Sequence, residues 1–226
     1  MRRNPVLQWK RDPGDRLPVA RPDFTPRERR LIGRLDTPLK VQRFLYTLPY
    51  NWGHTQRSFR GVLRAGTAHC LEGALTAAAI LEQHGYPPLL LDMESIDELD
   101  HLLFLYRRNG RWGTVGRSRD AGLHGRKPVF RRIHDLVHSY VDPYVDGSGR
   151  IVRYGIADLR TLCDVDWRTS STNLWKLEKA LIAMPHRPFR SSDRRYRAAL
   201  ETYQAFRKVH PSGPAEYYAN RHSWLR

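Results

Sequence analysis

The chain has 226 residues, of which 40% are hydrophobic and 27% are charged. This length and composition fit one sizeable hydrophobic core and exclude a wholly disordered protein. No apolar run approaches the ~18 residues that a membrane-spanning helix needs, and no apolar segment of a secretory signal follows the basic N-terminus. The two cysteines, Cys70 and Cys163, exclude a disulfide scaffold and favour a cytoplasmic location.

The formal net charge is +16 at pH 7, a balance typical of proteins with a polyanionic partner such as nucleic acid. Lysine occurs only six times among the 39 basic residues, so 33 of them are arginine. The arginines are scattered and form no single block, as the codon use of a GC-rich genome would produce. We therefore favour a compositional origin of the charge, with a nucleic-acid-binding module as the alternative.

Residues 1–24 are rich in proline without a periodic apolar face, which predicts an irregular N-terminal arm. Thr25, Pro26 and Glu28 then form a capping box that predicts a short helix, and Thr37 begins a second one. A further helix is expected over residues 55–64.

The strongest helical segment follows, over residues 69–85. It is alanine-rich and apolar on nearly every face, and Gly85 stands where a helix-ending glycine is favoured. A helix of this kind must be buried, and its small residues let a sheet approach closely. We expect it to be the central helix of the fold.

The next segment predicts an antiparallel sheet. Residues 88–93 form a short buried strand, followed by an acidic loop over 92–100. Residues 101–107 are apolar on both faces of a strand, which predicts a central place in the sheet. Asn109–Gly110 is a strong hairpin signal, so residues 111–116 should return antiparallel to that strand.

The remainder of the chain predicts mainly helices, at Asn173–Met184 and at Ser192–Lys208. The expected fold class is therefore α+β. One domain should cover residues 25–226, with a core at about 50–125 and a helical C-terminal extension at about 126–226.

Cys70 falls in the first turn of the buried helix. There the free N–H groups and the positive end of the helix dipole stabilise a thiolate and could hold an oxyanion. His101 opens the central strand that should pack on this helix, where it could act as a general base. A cysteine and a histidine so placed are typical of thiol-dependent acyl-transfer enzymes.

Three stretches, residues 65–74, 100–106 and 109–113, resemble the transglutaminase-like core, and most of all its bacterial members. The resemblance covers about residues 50–125. It implies a papain-type arrangement, with a cysteine on a helix, a histidine beginning the next long strand, and an aspartate or asparagine on the strand after it. It also implies chemistry through a thioester without a cofactor, on a peptide, amide or thioester substrate.

Transferred residue by residue, the resemblance implies Cys70 as nucleophile and His101 as base. The third residue is expected near Gly116, where the sequence has neither an acid nor an amide. Asp120, a few residues later, is the nearest carboxylate and is our candidate for this role. Ser118 or a backbone carbonyl could orient the imidazole instead.

Further candidates have weaker signals. Trp52 and Gln56 precede the nucleophile and are considered as a cleft wall or an oxyanion donor. Cys163 has no helix-start context and is interpreted as structural. His134 and His138 share one helix face at a spacing that a metal could use, but a third ligand is missing, so we expect no metal site.

The sequence thus predicts acyl transfer or amide hydrolysis through a Cys70 thioester, with His101 as base. One alternative is a catalytically inactive protein of the same fold that binds a peptide or an anionic partner. The other is the nucleic-acid-binding module, whose binding would weaken steeply with ionic strength.

Overall fold

The computed structural model describes residues 22–213, so most of the expected arm at residues 1–24 lies outside the described residues. Helices α1 to α7 span Pro26–Arg34, Pro38–Thr47, Phe59–Ala65, Cys70–Glu82, Ile133–His138, Trp175–Ala183 and Asp193–Val209. Strands β1 to β6 span Leu89–Ser95, His101–Arg108, Arg111–Val115, Arg126–Phe130, Ile151–Asp158 and Arg187–Pro188. This is a mixed α+β architecture, as predicted. None of the helices within residues 22–213 has the length and apolar character that crossing a membrane requires.

The first two helices begin where their caps predict. The side chain of Thr25 accepts the N–H of Glu28 at 3.2 Å, and the Glu28 carboxylate accepts the N–H of Thr25 at 2.7 Å. The second helix likewise begins after its capping threonine. The third begins later than expected, at Phe59, because the Ser58 hydroxyl accepts the N–H of Gly61 and caps the helix there.

The six strands form one sheet in the order β4-β3-β2-β1-β5-β6, and every neighbouring pair is antiparallel. Strands β2 and β3 form the predicted hairpin, which closes with Arg108 opposite Arg111. Asn109 and Gly110 turn the chain with φ values of 50° and 71°. Asparagine and glycine adopt this left-handed conformation most readily, which is why the pair marks the hairpin.

The chain beyond the predicted core contributes strands as well as helices, unlike the helical extension expected there. Strand β4 extends the sheet past β3, and β5 pairs along all of β1 in the interior of the sheet. Arg153 and Gly155 interrupt the apolar alternation of β5, so its local pattern does not reveal the pairing. Strand β1 also continues to Ser95, which places Asp92 and Glu94 in a strand and shortens the expected acidic loop.

The sheet is covered on both faces. In β2, Phe104 packs in the layer that contains α4, whereas Leu103 and Leu105 pack with α5 and the chain after it. Leu90 and Leu91 of β1 divide between the two layers in the same way, because successive side chains of a strand point to opposite faces. Both strands are therefore buried on both faces, as predicted for β2.

Helix α4 lies close to the chain that follows β3. Gly73 permits this approach, since a Cβ at that position would stand 2.8 Å from Cβ of Arg117 and 3.2 Å from its backbone nitrogen. The residues of α4 after Cys70 are buried throughout. The start of α4 is thereby held against the end of the sheet at which β2 begins.

Candidate active site

Cys70 is the first residue of α4 and is half-buried as a residue. Backbone N–H groups in the first turn of a helix lack intrahelical acceptors, and the helix dipole favours negative charge there. The Cys70 Sγ lies 4.0 Å from the backbone oxygen of Asp100, the residue before β2. The structure therefore brings the start of α4 and the start of β2 together.

His101 begins β2 and is 4% exposed. Its Nε2 lies 2.7 Å from the backbone oxygen of Leu123. Because a carbonyl oxygen only accepts hydrogen bonds, Nε2 carries a proton and Nδ1 is left as the basic nitrogen of the neutral ring. The rings of Tyr140 and Tyr144 pack edge-on against the imidazole, at centroid distances of 6.4 and 6.5 Å. These contacts hold the ring in one orientation.

The backbone carbonyl of Leu123, and not the carboxylate of Asp120 as expected, accepts the hydrogen bond from the His101 imidazole. Asp120 is buried, and its carboxylate pairs with Arg119 at 3.2 Å. Its backbone oxygen accepts the N–H of Leu123 at 3.1 Å, which closes the 3-10 turn of residues 121–123. That turn carries the Leu123 carbonyl to Nε2 of His101. A carbonyl has no residue-type signature, so the sequence pointed to the nearest carboxylate instead.

Two imidazoles favour the thiolate form of Cys70. Burial raises the pKa of the thiol, but hydrogen bonding and charge interactions with His101 and His69 outweigh burial and lower the pKa to about 5. Burial lowers the pKa of His69, and the interactions with Cys70 and Glu72 raise it above its ordinary value. Because the thiolate is the nucleophilic form of cysteine, this environment suits attack on a carbonyl carbon at neutral pH.

A fully buried carboxylate fastens the loop before α4 to the first turn of that helix. Glu72 accepts hydrogen bonds from the side chains of Arg57, Thr55 and Asn51 at 2.7 to 3.0 Å. It also accepts the backbone N–H of His69 at 3.2 Å. Burial raises the pKa of Glu72, but the Arg57 guanidinium and the other donors lower it below its usual range. The signal in the sequence for this role of Glu72, which is not among the predicted site residues, is its place three residues after His69, the residue that precedes the helix.

A cleft of about 130 Å³ opens beside the thiol. Its lining includes Tyr50, Cys70, Asp100, His101, Leu123 and Tyr144. Burial, reinforced by neighbouring carboxylates, raises the pKa of Asp100 to about 7. Burial also raises the pKa of Tyr50 to about 12, so that its hydroxyl stays protonated. Since a water molecule occupies about 30 Å³ in the liquid, the cleft has room for a small acyl or amide group.

Neither of the two residues considered as cleft wall or oxyanion donor is among the residues that line the cleft, although Trp52 contacts the lining residue Tyr50. Trp52 is 76% exposed, and its ring packs edge-on against Tyr50 at 4.9 Å between centroids. Gln56 is buried, and its side-chain amide donates to Glu178 of α6. The backbone N–H of Gln56 donates to Asn173 at 3.0 Å. Gln56 thus joins the loop to α6.

Cys163 and the two histidines of α5 lie outside the cleft lining. Burial raises the pKa of Cys163, the direction opposite to that of Cys70. His134 and His138 stack at 6.3 Å, but a guanidinium nitrogen of Arg195 lies 2.9 and 3.1 Å from the two ring nitrogens of His138. That cation would repel a metal ion. Over residues 22–213, no group of three or more potential ligands is placed to hold a metal.

Comparison with models of known protein families finds no matching family, and comparison with curated proteins finds no matching sequence.

Proposed function

We propose that the protein is a cysteine-dependent enzyme that transfers acyl groups or hydrolyses amide bonds through a thioester on Cys70. One observation carries this proposal: the thiol of the half-buried Cys70, at a helix N-terminus, interacts with His101, whose Nε2 proton is bound by the Leu123 carbonyl. Peptides, amides and thioesters are the substrates that this chemistry takes, and the steps need no cofactor.

In the proposed reaction, Nδ1 of His101 takes the thiol proton and the Cys70 sulfur attacks the substrate carbonyl carbon. The backbone N–H of Cys70 stabilises the resulting oxyanion at the start of α4. The imidazolium then donates its proton to the leaving amine, the C–N bond breaks, and a thioester remains on the sulfur. Attack by water or by a second amine, with His101 again as base, releases the acyl group and restores the thiol.

We also infer that the core is of the transglutaminase-like type. The order of elements supports this inference, because a buried helix beginning with cysteine precedes a strand beginning with histidine, and a hairpin follows. The site departs from the pattern at the third residue, where the Leu123 carbonyl accepts the hydrogen bond expected of a side chain. The imidazole is still oriented, so the departure does not remove the base.

Thiol reactivity tests the catalytic pair. At about pH 6, well below the ~8.5 of a free thiol, limited iodoacetamide treatment should modify Cys70 before Cys163. His101→Ala should slow the labelling of Cys70 at least about tenfold, because the pKa of the thiol rises toward its ordinary value. Mass spectrometry of the digested protein reads both rates, and Cys163→Ser is the matched control. Equal, slow labelling of the two cysteines would overturn the proposal.

Acyl-enzyme formation tests the reaction itself. Incubation with p-nitrophenyl acetate or with mixed peptide p-nitroanilides should leave an acyl group on Cys70 and release p-nitrophenol or p-nitroaniline, respectively. Cys70→Ala should abolish the adduct and the release of both products. Asp120→Asn should change the rate of Cys70 acylation by less than about twofold, because the Leu123 carbonyl accepts the Nε2 proton of His101. A reactive Cys70 that never forms an acyl adduct would identify the inactive binding protein instead.

A further inference from the structure

We propose that His69 is a second catalytic imidazole of the site, a permanent cation that holds the Cys70 thiolate while His101 moves the proton. This inference rests on the proposed function and adds a residue to it. His69 stands at the N-cap position of α4, directly before Cys70. Only 13% of its side chain is exposed, so the ring is largely shielded from solvent.

The contacts of the His69 ring determine where its protons lie. Nε2 is 2.5 Å from the backbone oxygen of Thr55, and because a carbonyl oxygen only accepts hydrogen bonds, Nε2 carries a proton. The other ring nitrogen, Nδ1, is left for the hydrogen bond that joins the side chains of His69 and Cys70. The side chain of His101 forms a hydrogen bond with the same thiol. Two imidazoles therefore meet at one sulfur atom.

A buried carboxylate favours the charged form of His69. Glu72 lies 3.7 Å from Nε2 and has no exposed side-chain surface. Burial and the positive end of the α4 dipole both disfavour a cation at this position. The interactions with Cys70 and Glu72 outweigh burial, and they raise the pKa of His69 above its ordinary value. His69 therefore stays an imidazolium at a pH where a free imidazole is losing its proton.

The surroundings of His101 differ from those of His69. Its Nε2 donates to the Leu123 carbonyl, and the rings of Tyr140 and Tyr144 pack against it. In the described part of the chain, no carboxylate forms an ion pair with this imidazole. An imidazole without a paired carboxylate gains and loses a proton readily near neutral pH, whereas a paired one keeps its proton. The two rings are therefore suited to different tasks at the same sulfur.

This difference bears on the hydrolysis of the thioester. His101 takes a proton from water, the hydroxide adds to the carbonyl carbon, and the C–S bond then breaks with its electron pair on the sulfur. The products are the free carboxylic acid, a thiolate on Cys70 and an imidazolium at His101. The charge-assisted hydrogen bond from His69 stabilises the thiolate as it leaves. His101 then returns its proton to the sulfur, which restores the thiol.

His69→Asn tests the inference in the full chain, because asparagine is a preferred N-cap residue and keeps the start of the helix. We expect the rate of iodoacetamide labelling of Cys70 at about pH 6 to fall at least about tenfold, since less of the thiol is ionised. Deacylation of the acetyl-enzyme formed from p-nitrophenyl acetate should also slow at least about tenfold, because the departing thiolate loses a donor. His134→Asn, which removes an exposed imidazole outside the cleft, should leave both rates within about twofold.

The outcomes separate this inference from the proposed function. If His69→Asn matches the native chain in labelling and deacylation while His101→Ala still slows labelling, the role of His69 is overturned and the proposed function stands. If neither variant changes the reactivity of Cys70, the proposed function fails as well.

A measurement on the native chain does not depend on the folding of any variant. At about pH 7.5, where a free imidazole of pKa ~6.5 is mostly neutral, the ring ¹⁵N resonances of His69 should be those of an imidazolium. A neutral His69 ring at this pH would overturn the inference.

Discussion

Tyr50 stands beside the nucleophile with a hydroxyl that forms no hydrogen bond within the described residues. It lines the cleft with Cys70, and Arg117 lies over its ring at 5.8 Å. Burial and the charge of Cys70 raise the pKa of Tyr50 to about 12, so the O–H is a donor throughout the neutral range. A neutral donor near a thiolate can stabilise the oxyanion that forms when a carbonyl is attacked.

We therefore expect Tyr50→Phe to slow acylation of Cys70 by about 10- to 100-fold, because the oxyanion loses one donor. The reactivity of Cys70 toward iodoacetamide should change less than about twofold, since alkylation forms no oxyanion. Stopped-flow release of p-nitrophenol and the labelling rate measure the two effects separately. If both rates fall together, Tyr50 supports the thiolate and not the oxyanion.

At the scale of elements, the loop before α4 and the first turn of that helix form one unit. Three side chains of the loop donate hydrogen bonds to the carboxylate of Glu72. The backbone carbonyl of Thr55 also lies 2.5 Å from Nε2 of His69. Glu72 has no exposed side-chain surface, and Arg57 is 18% exposed. Removing the carboxylate charge would leave Arg57 without its counter-ion and loosen the His69 ring beside the thiol.

Glu72→Gln should lower the free energy of unfolding by on the order of 2–4 kcal/mol, as expected when one partner of a buried ion pair is lost. The pKa of Glu72 is lowered in the folded state, so its contribution is present at neutral pH and is lost as the pH falls. Urea unfolding at neutral pH measures the change, with Glu201→Gln on the exposed side of α7 as control. Equal free energies for the two variants would show that the network does not stabilise the fold.

Across the whole molecule, segments far apart in sequence bring ionisable groups together near the cleft. His186 lies 3.2 Å from Asp92 and 3.2 Å from Glu94, both on β1. Asp100 adds a carboxyl group, and burial together with the charges of Asp92 and Glu94 raises its pKa to about 7. The folded protein therefore keeps Asp100 protonated at a pH where the unfolded chain does not.

The raised pKa of Asp100 sets the sign of a pH effect. Asp100 contributes fully to the stability of the fold at a pH below 3.8, the ordinary pKa of the carboxyl group. This contribution is lost as the pH rises to about 7, the pKa in the folded protein. As the pH rises from about 5 to about 8, the free energy of unfolding of Asp100→Asn should increase relative to that of the native chain by on the order of 1–3 kcal/mol, after allowance for solvent screening. Urea unfolding across this range measures the difference.

Asp97, in the same loop, provides a control of opposite sign. Burial raises its pKa, but hydrogen bonds from Ser95 and Ser148 lower it below the ordinary value. Asp97→Asn should therefore lose stability relative to the native chain at neutral pH. Parallel pH profiles for the native chain and Asp100→Asn would contradict the raised pKa of Asp100.

The distribution of positive charge also belongs to the whole molecule. Arg57, Arg60 and Arg168 each pair at 2.7 Å with a buried carboxylate. Arg126 is fully buried and donates to backbone carbonyls. These four arginines are engaged within the fold and are not free to contact phosphate groups.

The sequence by itself determined the elements whose signals act over a few residues. The capping box at Thr25, the Asn109–Gly110 turn and the apolar run of α4 each specify local backbone geometry, and all three are found where predicted. The positions of Cys70 at the start of α4 and of His101 at the start of β2 were predicted for the same reason, since both elements have strong local signals.

Only the tertiary structure decided which distant groups meet. Strand β5 lies beside β1, the Leu123 carbonyl reaches His101 and Gln56 joins α6, although the paired residues are far apart along the chain. Every residue has a backbone carbonyl, so no residue type marks the one that orients the imidazole. Pairing over long separations depends on loop closure and on the packing of both faces of the sheet, neither of which leaves a local pattern.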